Sequence, residues 1–262
     1  MPELPEVEAR LRYFRRTVLG HCIERVIITA PNMIKNLTPR VFAGRLRGRC
    51  FVDASRRGKY LIIVLDDARK LILHFGMGGD LAYYQLARER PDYTRIEFIL
   101  TNGWRMAFTC PRKICRVMLV DESTHVPALR EMGPEPLGVS FSLSFLARLI
   151  EEWPRRQIKP LLLDQRMIAG VGNIYADEIL FEAGVRPDRR GESLNEEDVK
   201  RIHRAIRRVL WRSIKTAADE NFPADFLVSR EARGAVCRVC DQPIQKKKIG
   251  GRTAHFCPQC QV

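Results

Sequence analysis

Apolar side chains at Val7, Leu11, Phe14 and Val18 recur at helical spacing, with Arg10, Arg12, Arg15 and Arg16 between them. This stripe predicts an amphipathic helix near the start of the chain, with Gly20 as its stop signal. The pattern then shortens. Runs rich in β-branched and aromatic residues cover 23–28, 51–52, 60–65, 70–74, 96–100 and 117–120. Asp66-Asp67 and Asn102-Gly103 punctuate them, and Asn-Gly between apolar runs signals a hairpin. Many short strands after one helix predict a β-sandwich or barrel-like domain.

The character changes at Gly133-Pro134-Glu135-Pro136-Leu137-Gly138, where paired prolines and glycines argue for a linker. Beyond it the periodicity is helical over 142–153, 177–183 and 196–215. In the last of these Val199, Ile202, Ile206, Leu210 and Ile214 form the core stripe, and Arg201, Arg204, Arg207, Arg208 and Arg212 cover the other faces. No internal repeat is evident. The expected fold class is α+β. Its parts are an N-terminal β-sandwich with its helix over 1–132, a linker at 133–138, a helical domain over 139–228 and a cysteine module over 229–262.

Composition narrows the choice of partner. The 262 residues hold 45 Lys and Arg against 31 Asp and Glu, a formal net charge of +14. Such an excess calls for a polyanion, most often nucleic acid, although an anionic membrane would also serve. With 45% hydrophobic and 29% charged residues the chain is not of the disordered class. No apolar run reaches the roughly 20 residues of a membrane span. The acidic, proline-containing start lacks the basic and apolar regions of a secretory signal. These features predict a soluble protein of the cytoplasm.

The eight cysteines divide unevenly. Cys22, Cys50, Cys110 and Cys115 are scattered and are expected to be buried or free thiols in an intracellular chain. Cys237, Cys240, Cys257 and Cys260 form C-x2-C-x16-C-x2-C, the spacing of a four-thiolate zinc ribbon. Each knuckle places two sulfurs on one tight turn. The stretch between has the length of a β-hairpin with Gly250-Gly251 at its tip. A small module with little core needs metal to fold, so one structural zinc ion is expected. Lys246, Lys247, Lys248 and Arg252 make the hairpin basic and suited to phosphate.

Pro2-Glu3-Leu4-Pro5-Glu6 admits two readings. The plain one is a helix N-terminus, with proline in the first turn and carboxylates at the positive end of the dipole. The sharper one requires removal of Met1, which leaves Pro2 as a free secondary amine. An α-amino group has a pKa near 7.7–8.0, about two units below lysine, so a far larger fraction is neutral and able to attack carbonyl carbon. Glu3 and Glu6 would then handle protons.

Four stretches carry a family resemblance. They are Pro2-Glu3-Leu4-Pro5-Glu6-Val7-Glu8, Arg57-Gly58-Lys59-Tyr60-Leu61, Asp164-Gln165 through Gly170-Val171-Gly172-Asn173 to Asp177-Glu178, and the module ending Phe256-Cys257-Pro258-Gln259-Cys260-Gln261. Together, in order along the whole chain, they resemble the formamidopyrimidine-DNA glycosylase and endonuclease VIII family of base-excision repair. The resemblance implies a β-sandwich, a helix–two-turn–helix domain and a zinc finger. It also implies a monomer acting on damaged double-stranded DNA of the bacterial nucleoid.

By the same resemblance Pro2 is the nucleophile toward C1′ of a flipped nucleotide, Glu3 the acid that assists ring opening, and Glu6 a supporting carboxylate. Lys59 grips a phosphate beside the lesion, where a cation also stabilises developing negative charge. Asn173 and Arg252 match phosphate contacts, Lys159 a lysine near the site, and Glu178 a carboxylate by the N-terminus. Met77, in His74-Phe75-Gly76-Met77-Gly78-Gly79, matches a side chain that fills the vacated stack.

The chain departs from the family's pattern at Cys110-Pro111-Arg112-Lys113-Ile114-Cys115, where the family reads Asp-Pro-Arg-Arg-Phe-Gly. Lys113 lacks the planar fork of the arginine that pairs with the orphaned cytosine, and Ile114 cannot stack like the aromatic it replaces. The resemblance therefore does not carry the cytosine preference to this chain. The segment 216–236 is also short for the flap that covers a flipped 8-oxoguanine. The leading expectation is a bifunctional glycosylase and abasic-site lyase. One alternative is the same enzyme with specificity shifted toward abasic sites, oxidised pyrimidines, hydantoins or bulky adducts. Others are a non-catalytic damaged-DNA-binding relative and, on charge and cysteines alone, a zinc-ribbon RNA-binding protein.

Overall fold

The computed structural model describes residues 1–121, 124, 126–217, 222–227 and 236–262. The chain forms two units: Met1–Pro2 with Glu6–Pro127, and Glu3–Pro5 with Ala128–Val262.

Helix α1 (Leu4–Thr17) carries the opening stripe, and Val7, Leu11, Phe14 and Val18 are all buried in the first unit. Gly20, at φ +86°, follows it in the left-handed region that glycine adopts without a Cβ clash. The rest of the unit is built on two antiparallel sheets. One has the order β1 (Ile23–Ile28), β6 (Thr94–Leu100), β7 (Arg105–Thr109), β5 (Asp80–Tyr84). The other has the order β2 (Phe51–Arg57), β3 (Tyr60–Leu65), β4 (Lys70–His74), β8 (Arg116–Val120). Alternation along β3 puts Leu61, Ile63 and Leu65 inward, and their partners across the sheet share that face. Both sheets and α1 contribute to one core, in which Phe51 makes edge contacts with Phe14 and Phe98. Each fully buried ring of this kind contributes on the order of 2–3 kcal/mol.

Two strands and a helix of this unit lie outside the sequence expectation. Strands β5 and β7 carry Asp80, Arg105 and Ala107 among their apolar residues, which blurs the alternation. Helix α2 (Pro39–Leu46) is only eight residues long, although Thr38 caps it and Pro39 opens it. The scattered cysteines also differ from expectation. Cys22 pairs with Cys50 and Cys110 with Cys115 as disulfides. The first pair lies opposite across an antiparallel bridge, and the second closes one turn. Spacing along the sequence reveals neither relationship.

The second unit is helical. After the short α3 (Pro127–Arg130) come α4 (Leu143–Glu152), α5 (Ile158–Leu163), α6 (Asn173–Ala183) and α7 (Glu196–Thr216). Asn195 and Asp198 form a reciprocal capping box at the start of α7. The stretch 133–138 belongs to this unit, where the Gly133 N–H donates to Gln165 O and Pro134 O accepts from Ala169 N–H. Helix α6 starts four residues before the predicted 177, because Tyr175, Ala176, Ile179, Leu180 and Ala183 bury it on several sides and leave little amphipathic contrast. Helix α5 was hidden by Pro160, which sits in its first turn, where a missing N–H costs little. The hairpin of β9 (Gln245–Ile249) and β10 (Arg252–Phe256) closes the unit. The expected short flap at 216–236 and the boundary at 228–229 lie largely outside the described residues.

Candidate active site and nucleic-acid interface

The start of α6 is built around glycine. Gly170 has φ +82°, and a Cβ there would lie 2.8 Å from the Leu4 side chain. At Gly172 a Cβ would lie 2.3 Å from the carboxyl carbon of Glu3. The missing side chain admits the Glu3 carboxylate to the helix N-terminus. There it accepts from the N–H groups of Gly172 at 2.6 Å, Ile174 at 3.1 Å and Tyr175 at 3.5 Å. These are donors that a helix leaves unpaired, and the helix dipole favours an anion beside them. Glu3 is only 3% exposed, so the cradle also takes the place of water.

Gln165 holds the loop before α6 in shape. Its amide donates to Leu163 O at 3.0 Å and Val171 O at 2.8 Å, and its Oε1 accepts from Gly170 N–H at 2.9 Å. Gln165 acts through backbone groups alone, which the sequence does not show. Asn173 opens α6, and its Oδ1 is buried with no hydrogen-bond partner among the described residues. Glu178 is buried on the same helix.

The resemblance gives Lys159 as a lysine near the site, and the Glu3 charge acts on it. Its side chain is fully buried, with Nζ 2.6 Å from Asp177 Oδ1 and donating to Thr253 O at 2.8 Å. Burial lowers its pKa, and the Asp177 charge acts in the opposite direction. Asp177 Oδ2 in turn accepts from the His255 N–H at 3.1 Å. Lys159 and Asp177 therefore fasten β10 to α6, and the Lys159 ammonium points into protein instead of toward solvent.

The four cysteines of the finger converge. All four sulfurs lie within 4.8 Å of one another, with Cys237–Cys260 at 3.7 Å, Cys240–Cys257 at 3.5 Å and Cys240–Cys260 at 3.4 Å. A tetrahedron of thiolates about 2.3 Å from zinc has edges of about 3.8 Å. Backbone N–H groups of Val239 and Cys260 donate to the sulfurs of Cys237 and Cys257. The donor set fits one structural zinc ion with no open position. Gln261 joins the second knuckle to the helices, accepting from Cys257 N–H at 2.8 Å and donating to Val185 O at 2.9 Å. At the hairpin tip Gly250 and Gly251 both have positive φ. Arg252 beside them is exposed, and its guanidinium makes no ion pair or hydrogen bond among the described residues. Lys247 pairs with Asp188 at 2.7 Å.

In the first unit Gly58-Lys59 forms the tight turn between β2 and β3, with Gly58 at φ +53°. Lys59 is 7% exposed. His74 lies near this lysine, a neighbour the sequence does not reveal. Burial, then the charges of Arg116 and Lys59, bring the His74 pKa down to about 4. The Gly76 N–H donates to His74 Nδ1 at 3.3 Å, so the neutral ring carries its proton on Nε2. Pro2 is buried, Met1 is exposed and Glu6 is half-buried on α1.

Met77 and Ile114 come from different turns that meet. Each is 43% exposed, and Arg112 of the second turn reaches Met77 Sδ at 3.6 Å. Lys113 is exposed between them, in the left-handed region at φ +54°.

A glycine-opened helix with a basic, thiolate-knuckled hairpin fastened to it defines a helix–two-turn–helix protein with a zinc finger. Family models agree along the chain. The formamidopyrimidine-DNA glycosylase N-terminal domain matches residues 1–117, the formamidopyrimidine-DNA glycosylase H2TH domain 132–222, and the zinc finger found in FPG and IleRS 234–262. The chain belongs to the formamidopyrimidine-DNA glycosylase family. It is 36% identical to the formamidopyrimidine-DNA glycosylase of Desulfitobacterium hafniense, with all of both chains covered. It is also 36% identical to that of Thermus thermophilus, covering all of this chain and 98% of the relative. Among solved structures it is similar to the Thermus thermophilus MutM (Fpg) protein, with a TM-score of 0.83, 34% identity and 99% and 98% of the two chains covered. It is similar too to Lactococcus lactis Fpg bound to DNA containing N7-benzyl-Fapy-dG, with a TM-score of 0.88, 30% identity and 99% of each chain covered.

Proposed function

We propose that this chain is a DNA repair glycosylase with abasic-site lyase activity, acting on damaged double-stranded DNA as a monomer in the bacterial cytoplasm. The observation that carries the proposal is the Glu3 carboxylate, held by the N-terminus of α6 and bonded in sequence to Pro2. The same contacts that cap α6 fix the carboxylate next to Pro2 along the chain, where a reaction centred on Pro2 needs an acid.

In this reading Met1 is removed and Pro2 becomes a secondary amine. Its lone pair attacks C1′ of the flipped nucleotide, the glycosidic bond breaks, and the base leaves with a proton. Glu3 assists opening of the sugar ring and proton transfer, with Glu6 as a supporting carboxylate. The resulting iminium makes the C2′ proton acidic. Loss of that proton expels the 3′ phosphate, and a second elimination expels the 5′ phosphate. Lys59 stabilises charge on a flanking phosphate, and Asn173 and Arg252 hold the strand. Glu178 supports the site from α6. Met77 and Ile114 fill the gap left by the flipped nucleotide, and Lys113 faces the opposite base. The working organisation takes a catalytic part over 1–132, a connecting stretch at 133–138 that packs within the second unit, and DNA-gripping parts over 139–228 and 229–262.

A specific observation favours broadened substrate choice within this function. Ile114 and Lys113 present an aliphatic wedge and a single ammonium where a planar fork would discriminate better. Discrimination among opposite bases should therefore be weaker than a planar fork would give.

Borohydride trapping on duplexes containing an abasic site or an oxidised base tests the central claim. A covalent adduct is expected with the wild type and none with Pro2→Gly. Tight binding to abasic duplex without any adduct would identify a non-catalytic damage-binding protein instead.

A further inference from the structure

Cys110 and Cys115 bracket the turn that carries Lys113 and Ile114, and a disulfide joins them with Cα atoms 6.3 Å apart. The closed ring is held from several sides. Within it, the Cys115 N–H donates to Cys110 Sγ at 3.3 Å, and the Lys113 N–H donates to Cys110 O at 3.3 Å. From outside, Arg95 donates to Cys110 O at 2.9 Å and to Pro111 O at 3.5 Å, and Asn32 donates to Lys113 O at 3.3 Å.

The ring also sets the neighbouring turn. Cys115 Sγ lies 3.0 Å from Phe75 O. A Cβ at Gly79 would come 2.7 Å from that sulfur, and one at Gly76 would come 3.0 Å from the backbone of Ile114 and Cys115. Glycine at both places lets the Met77 turn lie directly on the disulfide-closed turn. One covalent link thereby fixes the spacing of Met77, Lys113 and Ile114, the three side chains assigned to the emptied stack. Lys113 also has φ +54°, a conformation that an unclosed turn leaves readily.

We propose that the Cys110–Cys115 disulfide is a redox-dependent lock that positions Lys113, Ile114 and Met77 for entry into the duplex, so that opposite-base selection follows the oxidation state of this pair. The proposal rests on the glycosylase reading above. Closing the lock takes two protons and two electrons from the two thiols. A low-molecular-weight disulfide accepts them and leaves as two thiols, and the exchange passes through one mixed disulfide. Both sulfurs are buried, so exchange must wait for the turn to open. Cys110 and Cys115 are positioning residues and touch no DNA in this scheme.

The test uses the full-length zinc-loaded protein. It is equilibrated with either glutathione disulfide or reduced glutathione, and the thiol state is read by alkylation and intact mass. Borohydride trapping rates and binding are then measured on abasic duplexes with each of the four bases opposite. The oxidised wild type should show a several-fold spread among opposite bases. The reduced protein and the Cys110→Ser/Cys115→Ser variant should both compress that spread to within about two-fold, and the variant should not respond to redox state. Zinc content and a Cys22→Ser/Cys50→Ser control assign the effect to this pair. Identical profiles for oxidised and reduced wild type, with trapping intact, would overturn the lock alone. A redox response that persists in the Cys110/Cys115 variant would do the same. Failure of every form to trap or bind would remove the glycosylase reading and the lock with it.

Discussion

The Glu3 carboxylate accepts from the Gly172 N–H at 2.6 Å, and a Cβ on residue 172 would fall 2.3 Å from the carboxyl carbon. The glycine and the glutamate therefore specify each other. Because the clashing atoms belong to the mobile end of a side chain, Gly172→Ala should expel the carboxylate from its cradle without breaking the core. We expect catalysis to fall by on the order of a hundred-fold, within the range for loss of a positioned proton-transfer group, with a stability loss of about 1–3 kcal/mol from the N–H groups left unpaired. Gly170→Ala should behave differently. It forces φ +82° on an L-residue and presses on Leu4, so it should cost about 1–2 kcal/mol of stability. Single-turnover cleavage and thermal melting of both variants would separate the two effects. Equal loss of activity per degree of melting temperature in the two would count against the distinction.

The buried pair Lys159–Asp177 makes a second prediction. Removing either partner strands the other in a dry site, which typically costs about 3–5 kcal/mol. Lys159→Met and Asp177→Leu should each destabilise the protein strongly, and the double variant should be less destabilised than the sum. Urea denaturation of the three variants gives the coupling directly. Additive losses would show that the two residues do not act as a unit. The single variants should also weaken DNA binding, because Thr253 and His255, which this pair holds, lie on the same strand as Arg252.

That pair also shows how much of the site was legible in advance. The stripe of α1 was visible because its buried residues fall on one face, and the finger because thiolate spacing is dictated by zinc. Asp177 stood in a recognisable motif, yet its partner His255 is 78 residues away and the contact is made by a backbone N–H. Gln165 likewise acts on backbone groups alone. The resemblance implies only that Lys159 is a lysine near the site. Its burial depends on β10 packing against α6, which the local sequence does not encode. The cysteine pairs depend on which Cα atoms the two sheets bring together, and so they too were hidden.

His74 gives a pH signature. Its pKa in the folded protein is brought down to about 4, from an ordinary value near 6.5. Above pH 6.5 the ring is neutral in both states and costs nothing. As pH falls from 6.5 toward 4 the unfolded chain takes up the proton and the folded one does not, so stability declines. Across that window the loss should reach about 3 kcal/mol and then level off. His74→Gln should remove this part of the pH dependence in denaturation curves between pH 7 and 4. An unchanged slope in the variant would assign the acid sensitivity to other groups.

Removal of zinc should uncouple DNA binding from the rest of the fold. Among the described residues the apolar cluster at the knuckles is small, with Phe181, Leu227, Cys237 and Cys257 as its buried members, so the thiolate–zinc bonds carry most of the finger's stability. Chelation should release the hairpin and with it the free guanidinium of Arg252. The first unit has a large core of its own and needs no metal. We therefore expect a chelated protein that keeps its β signal in circular dichroism, loses about one zinc per chain, and binds duplex DNA at least ten-fold more weakly. The slope of log affinity against log salt should also flatten as phosphate contacts are lost. Arg252→Ala in the zinc-loaded protein should reproduce a smaller part of the same change, with the slope reduced by about one contact. Undiminished affinity after verified zinc loss would show that the finger is not part of the DNA-gripping surface.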